Sequence, residues 1–209
     1  FTMIILITHI TRQDKLSGDM GYQNNHREEW SAFHTHYGSQ PLPQTNPDKE
    51  LGFNLNTFSF SAIGRLIGSS FWEHRMGWDS QFQRNTISGY SFLLPEYERF
   101  TTGVSWLTTY RPDNVLAVSG GIRYDYGRIH VFAHDDPYLA TYLQEQGYSD
   151  EQVESYRWNS RRVNRSFGDY SLSLGVVWTP SVLHQLKVNV GRSFRLPGAN
   201  ELASNGVHH

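Results

Sequence analysis

The stretch of sequence that decides the fold reads Tyr170-Ser171-Leu172-Ser173-Leu174-Gly175-Val176-Val177-Trp178. Its even-numbered positions carry Tyr, Leu, Leu, Val and Trp, whereas its odd-numbered positions carry Ser, Ser, Gly and Val. Successive side chains of a β-strand point to opposite faces, so a repeat of two residues with one apolar face predicts a strand and not a helix.

Three further runs alternate in the same way, at residues 100–110, 115–126 and 184–195. Their second face is rich in Gly, Ser, Thr and Asn, and aromatic residues such as Tyr110 and Trp178 lie near strand ends. Strands of a soluble sandwich average about 5–6 residues and turn charges outward. A tilted transmembrane strand needs about 9–11 residues. We therefore predict an all-β fold, an antiparallel transmembrane β-barrel segment, and keep a soluble β-sandwich as the alternative.

The amino-acid composition excludes several classes of protein and of binding site. The 209 residues carry a formal net charge of −2, which argues against nucleic acid as a partner, and no cysteine, which excludes disulfides and thiolate metal sites. The longest apolar run, Met3 to Ile7, is far shorter than the roughly 20 residues of a transmembrane helix. The chain opens on Phe1 without a basic region before that run, so we expect an internal piece of a longer protein.

The connections between the predicted strands differ in length. Residues 111–114 and 179–184 form short links, whereas a long polar excursion runs from Gly127 to Phe167. Outer-membrane barrels alternate short periplasmic turns with long extracellular loops. Within the excursion, Asp136-Pro137 predicts the start of one helix and Ser149 the capping box of a second. The aromatic residues of this region that we consider as ligand contacts are Tyr138, Tyr142 and Trp158.

The first hundred residues are less regular. Residues 19–30, 51–60 and 72–83 predict three more strands, and the apolar parity changes at Phe58, which indicates a β-bulge. We expect about 7–8 strands in total. His34 and His36 would share one face of a strand and are a candidate metal pair. Residues 1–18 stay unassigned, and whether a metal binds anywhere stays unknown.

Four motifs, in order along the chain, resemble those of TonB-dependent outer-membrane receptors. Residues 191–209 resemble the stretch around the Phe-Arg-Ala-Pro box of that family, with Leu196 in place of Ala. Residues 121–125 resemble its Gly-hydrophobic-Arg-Tyr-Asp strand. Residues 21–29 and 94–100 are similar to two further strand regions. The corresponding signature positions are Phe194, Arg195, Pro197, Glu201, Leu202, Arg123 and Asp125.

The resemblance implies that residues 19–209 are part of a larger receptor barrel in the bacterial outer membrane, in contact with lipid, and that the plug domain and the C-terminal strands are absent from this chain. It implies uptake of an iron–siderophore or a related scarce metal chelate, energised by the TonB inner-membrane complex through the plug. It also makes His208 and His209 ligand candidates, because a histidine after this box is a candidate axial ligand in haem receptors. We expect no catalytic residue and no cofactor.

Other functions stay open at this point. The chain could belong to a haem or haemoglobin receptor of the same family, to a small self-closed outer-membrane barrel, or to a soluble glycan-binding module. An outer-membrane hydrolase would need Asp125, His134 and Asp135 to converge at the outer ends of the strands.

Overall fold

The computed structural model describes residues 1–10, 14–34 and 40–203, and its dominant element is one eight-stranded antiparallel sheet. The strands follow one another in chain order, except that β9 lies beside β6, because β7 and β8 form a separate ribbon. The strands are β1 (Thr2–Ile10), β2 (Lys15–Trp30), β3 (Lys49–Ile67), β4 (Trp72–Ser88), β5 (Tyr97–Tyr110), β6 (Leu116–Val131), β7 (His134–Asp135), β8 (Trp158–Ser160), β9 (Val163–Ser181) and β10 (His184–Arg192).

The helices are short and lie outside the sheet. They are α1 (Pro137–Glu145), α2 (Asp150–Tyr156) and α3 (Ala199–Ala203). In the described part of the chain, no helix has the length and apolar character needed to cross a membrane.

The eight strands form an open sheet. Among the described residues, β1 pairs only with β2 and β10 only with β9, so two edges of the sheet are without a neighbouring strand. A small self-closed barrel would pair these two edges, and a sandwich would split the strands between two packed sheets. Both alternatives therefore disagree with the observed topology. Residues 2–10, which the sequence left unassigned, form the edge strand β1.

The asymmetry of the connections is confirmed. Residues 11–14, 68–71, 111–115 and 182–183 join strands at one end of the sheet, which we call the short-turn end. The longer connections, β2 to β3, β4 to β5 and β6 to β9, begin and end at the other end of the sheet, which we call the loop end. The β6–β9 connection contains the two helices expected there.

Register separates the two faces of the sheet, because residues directly opposite each other in an antiparallel pair share a face. One face, which we call the polar face, carries Asp79, Gly103 and Asp125 side by side on β4, β5 and β6. The opposite face, which we call the apolar face, carries Trp78, Val104 and Tyr124 on the same strands. Its large side chains are exposed, including Val104 at 61% and Leu174 at 58%.

The apolar side chains change face partway along the strands. Phe58, Phe82 and Phe100 pair across β3, β4 and β5 and mark the level of the change. Toward the loop end, the apolar face becomes polar, with Asn54, Asn56, Arg84, Glu98, His130 and Asn164. At the same levels, the polar face becomes apolar, with Leu51, Leu55, Tyr97, Ile129, Val131 and Val163.

This exchange of faces explains why the predicted bulge at Phe58 is wrong. β3 pairs without a register shift with β4 from Gly52 to Ile67 and with β2 from Leu51 to Arg65. The register shift between β2 and β3 lies at Glu29 and Trp30 instead. Leu51 and Leu55 point to the polar face because apolar side chains are buried there near the loop end, not because a residue is inserted. The last strand also ends earlier than expected, at Arg192, because the following residues turn toward the polar face.

The apolar face predicts a depth-dependent cost for a charge. Val104→Arg places a guanidinium in the middle of the apolar belt, where it should cost about 2–4 kcal/mol of folding free energy if this belt contacts lipid hydrocarbon. Thr86→Arg is the matched control on the same face of the sheet, toward the loop end from the level of Phe58, and should cost about 0–1 kcal/mol. The measurement is the free energy of unfolding of the intact protein in lipid vesicles. Equal costs for the two variants would contradict a lipid boundary at Phe58.

Candidate functional site

The long excursion at the loop end is held by its own caps. The Asp136 carboxylate accepts hydrogen bonds from the backbone N–H groups of Tyr138 and Leu139 and begins α1. Ser149 and Gln152 form the predicted capping box of α2. Leu143 and Val153 are the buried residues of the two helices. Both helix starts are thus confirmed as the sequence predicted them.

Arg157 connects the helices to the β7–β8 ribbon. Its guanidinium forms an ion pair with Asp135, lies 3.6 Å from Glu154 and stacks over the Trp158 ring at 5.3 Å. The hydrogen bond to Asp135 raises the pKa of Arg157 above its ordinary value. The indole N–H of Trp158 donates to Glu154 at 3.0 Å. The orientation of Trp158 is therefore fixed by two partners.

A cleft of about 1090 Å³ opens between this excursion and residues 34, 40–46 and 88–92 of two neighbouring loops. Its lining is mixed: it includes five aromatic rings, the imidazoles of His34 and His134, and polar side chains such as Lys49, Asp135 and Asp136. The five aromatic residues are Tyr90, Phe92, Tyr138, Tyr156 and Trp158. His134 stacks on Phe92 with ring centroids 4.9 Å apart, and the Tyr90 hydroxyl lies 3.2 Å from His34 Nδ1. Aromatic rings beside polar groups that can orient a ligand are a feature of small-molecule sites.

Two of the three aromatic residues selected from the sequence lie at the cleft. Tyr138 and Trp158 line it, whereas Tyr142 is not among its described lining residues. Tyr90 and Phe92 were not selected. Their only signal was an aromatic pair in a short loop, and that loop comes next to the excursion only in the folded sheet.

Gly89 is required for the loop that carries Tyr90. Its φ of 104° lies in the region that side-chain-bearing residues avoid. A Cβ atom at this position would lie 2.3 Å from the carbonyl oxygen of Glu50, which is backbone and cannot move aside.

A second feature of the loop end is the segment of residues 193–203, which we call the hook. It leaves β10 and folds back over the polar face of β6, where Ala199 of α3 is buried with Ile129 and Val131. The backbone N–H of Phe194 donates to Ser171 Oγ at 3.1 Å. Leu202 packs at the rim of the same cluster, with Tyr97 and Phe167.

The hook is closed by one carboxylate. Glu201 accepts two hydrogen bonds from the Arg195 guanidinium, at 2.7 and 3.2 Å, and one from the backbone N–H of Gly198, at 2.7 Å. The hydrogen bonds from Arg195 are the largest cause, and with the one from Gly198 they hold the pKa of Glu201 below its ordinary value. Arg195 and Glu201 are therefore contact partners, and the half-buried Pro197 lies in the turn between them.

Leu196, the departure from the family's Ala, faces a glycine. A Cβ atom at Gly127 would lie 2.8 Å from the Leu196 methyl groups. The larger side chain at position 196 therefore occupies space that the glycine of β6 leaves open.

Arg123 and Asp125 lie elsewhere, on the wall of the sheet. The Arg123 guanidinium reaches across β5 to Asp79 on β4, with N–O distances of 2.7 and 3.0 Å, and also bonds Asp125. It passes over Gly103, where a Cβ atom would lie 2.1 Å from Arg123 Nη2. This three-strand ion cluster does not include the hook or the cleft.

The residues considered for a hydrolase are not assembled. Asp125 bonds Arg123, Asp135 pairs with Arg157, and His134 stacks on Phe92. No group of three or more metal-ligating side chains occurs among residues 1–10, 14–34 and 40–203. His36 of the proposed metal pair and the ligand candidates His208 and His209 lie outside the described residues.

The family model described as TonB dependent receptor-like, beta-barrel matches residues 8–209. The chain therefore belongs to this family, and the resemblance drawn from its motifs is confirmed. Its fold is a segment of such a barrel, and barrels of this kind turn their polar face toward the lumen.

Among solved structures, the chain is similar to the apoprotein form of the FrpB iron transporter from Neisseria meningitidis (F5-1 variant), with a TM-score of 0.61 and 15% sequence identity. The match covers 93% of this chain and 29% of the transporter chain. At this identity the similarity shows the fold alone. No curated protein matches the chain.

The ion pair of the hook predicts a pH dependence. A carboxyl whose pKa is lowered by folding stabilises the folded state above its unfolded value, near 4.5, and this contribution is lost as the pH falls through the lowered pKa. Hydrogen exchange of the amides at 195–202 in the intact protein should therefore speed up below pH 4.5, relative to Glu201→Gln at each pH. A variant that shows the same pH profile as the parent would contradict this role of Glu201.

Proposed function

We propose that this chain supplies part of the lumen wall and of the outer mouth of a receptor in the bacterial outer membrane that imports an iron–siderophore or a related metal chelate. In this proposal, residues 19–209 belong to the barrel, and energy comes from the TonB complex through a plug domain outside this chain. Family membership supports the proposal, and so does the name of the iron transporter of similar fold.

The observation that carries the proposal is the aromatic cleft at the loop end. It lies at the end of the sheet where barrels of this kind place their extracellular loops. Stacked and edge-on rings such as Phe92 and His134 offer flat apolar contact area, which suits a bulky organic chelate better than a bare ion. Tyr138 and Trp158, which line the cleft, are the proposed ligand contacts, and His208 and His209 are further candidates. Tyr142 does not line the cleft and is not a contact in this proposal.

A haem receptor of the same family is the second candidate. Two imidazoles, His34 and His134, line the cleft, and a neutral imidazole is a good ligand for iron.

The test compares two tyrosines of one helix. Tyr138→Ala removes a wall of the cleft, whereas Tyr142→Ala removes a tyrosine four residues further along α1. Binding of radioactive iron to whole cells is measured for a tris-catecholate chelate, a trihydroxamate chelate and haemin. We expect Tyr138→Ala to weaken binding of one of these probes about 5- to 160-fold, from the loss of one well-packed aromatic contact worth about 1–3 kcal/mol.

Binding in the Tyr142→Ala variant should stay within about twofold of the parent. The probe that binds distinguishes a siderophore receptor from a haem receptor. Absence of binding by the parent protein for all three probes would refute the proposed function, and equal losses in both variants would refute the assignment of the cleft.

A further inference from the structure

Three arginines lie around the hook on the lumen side of the sheet. Arg99 on β5 and Arg165 on β9 are the two register partners of Ile129 on β6, so all three side chains share the polar face. Two strand spacings separate Arg99 from Arg165, which is about 10 Å. The hook covers Ile129 between them and carries the third arginine, Arg195.

The positive charge of this group is not balanced. Glu201 is the carboxylate of the hook, and it is already bonded to Arg195 and near enough to Arg99 for that charge to contribute to its lowered pKa. Arg165 is exposed and makes no hydrogen bond or ion pair with another described residue. Three guanidinium groups thus face one carboxylate.

The carboxylates of the neighbouring levels are occupied elsewhere. Asp169, two residues beyond Phe167 on β9, pairs with Arg192, and Asp125 belongs to the ion cluster with Arg123. Glu98 points to the opposite face and lies 3.6 Å from Arg84. Excess positive charge therefore remains at the level of Ile129, two residues inside the loop end of β6.

We propose that Arg99, Arg165 and Arg195 form a cationic ring at the mouth of the lumen that selects cargo with net negative charge. This inference rests on the proposed function and names the class of its substrate: anionic chelates, with carboxylate or catecholate oxygens on their surface. The planar guanidinium donates two parallel hydrogen bonds to such oxygens. A concave site lined by one sign of charge also raises the local concentration of the opposite ion.

The first test uses the intact receptor in its own membrane and radioactive ferric chelates of different charge. Arg165→Gln removes an unpaired guanidinium, so the fold should be unaffected. Arg128→Gln is the matched control, because it removes the same charge from the opposite face of β6, where Arg128 donates to Asn164 at 3.2 Å. Half-saturation is measured for an anionic tris-catecholate and a neutral trihydroxamate.

For Arg165→Gln we expect the half-saturation concentration of the anionic chelate to rise about tenfold, the effect of losing one hydrogen bond to a charged group. The value for the neutral chelate should stay within about twofold, and Arg128→Gln should change neither. Equal effects of Arg165→Gln on both chelates, or a parent receptor that prefers the neutral chelate, would overturn the proposal.

A second test reads the charge of the mouth without any cargo. The chain contains no cysteine, so Asn200→Cys places a single thiol of this chain on the exposed side of the hook. We expect an anionic methanethiosulfonate reagent to modify this thiol faster than a cationic one. The ratio of the anionic to the cationic modification rate should fall when Arg165→Gln is combined with Asn200→Cys. A rate ratio of one or less in Asn200→Cys, with Arg165 present, would overturn the cationic ring. If this ratio holds but no chelate binds, the proposed function fails and the ring stands.

Discussion

The strands of this protein pass from one solvent to another, and the rest of the structure depends on that constraint. Every backbone N–H and C=O group in a lipid phase must be paired between strands. Among the described residues, the pairing of the eight strands shifts register only near strand ends, at Glu29–Trp30 and at His184–Leu186. What changes along each strand, as the surrounding solvent changes, is the polarity of the side chains on each face. Phe58, Phe82 and Phe100 mark the boundary. Between this level and the short-turn end the apolar residues lie on the outward face of the sheet, and between this level and the loop end they lie on the lumen face.

The exchange of faces also creates the place where the candidate sites are found. Above the boundary, apolar residues on the lumen side need cover, and the hook supplies it by burying Ala199 against Ile129 and Val131. The cleft lies at the same end, where the loops are long enough to fold on their own caps. Small residues on the lumen side, such as Gly103 and Gly127, give room for a side chain from a neighbouring strand or from the hook.

Strand positions, the two helix starts and the family were predictable from the sequence, because each depends on a local pattern. Alternation over ten residues defines a strand, and Asp136 and Ser149 define helix caps. The parity change at Phe58 was visible but ambiguous, because an inserted residue and a change of solvent produce the same letters. Only the pairing with β2 and β4 shows that no residue is inserted.

The sequence by itself determined that this chain is a run of long antiparallel strands, that one end carries short turns and the other long loops, and that its motifs are those of a receptor barrel. Tertiary structure alone decided which residues meet. Arg123 reaches Asp79, Leu196 lies over Gly127, and Tyr90 faces the cleft beside Tyr138. The physical reason is that strand register and the fold of the hook bring together residues that are 44 to 69 positions apart in these three pairs, and no local pattern encodes which strand levels coincide.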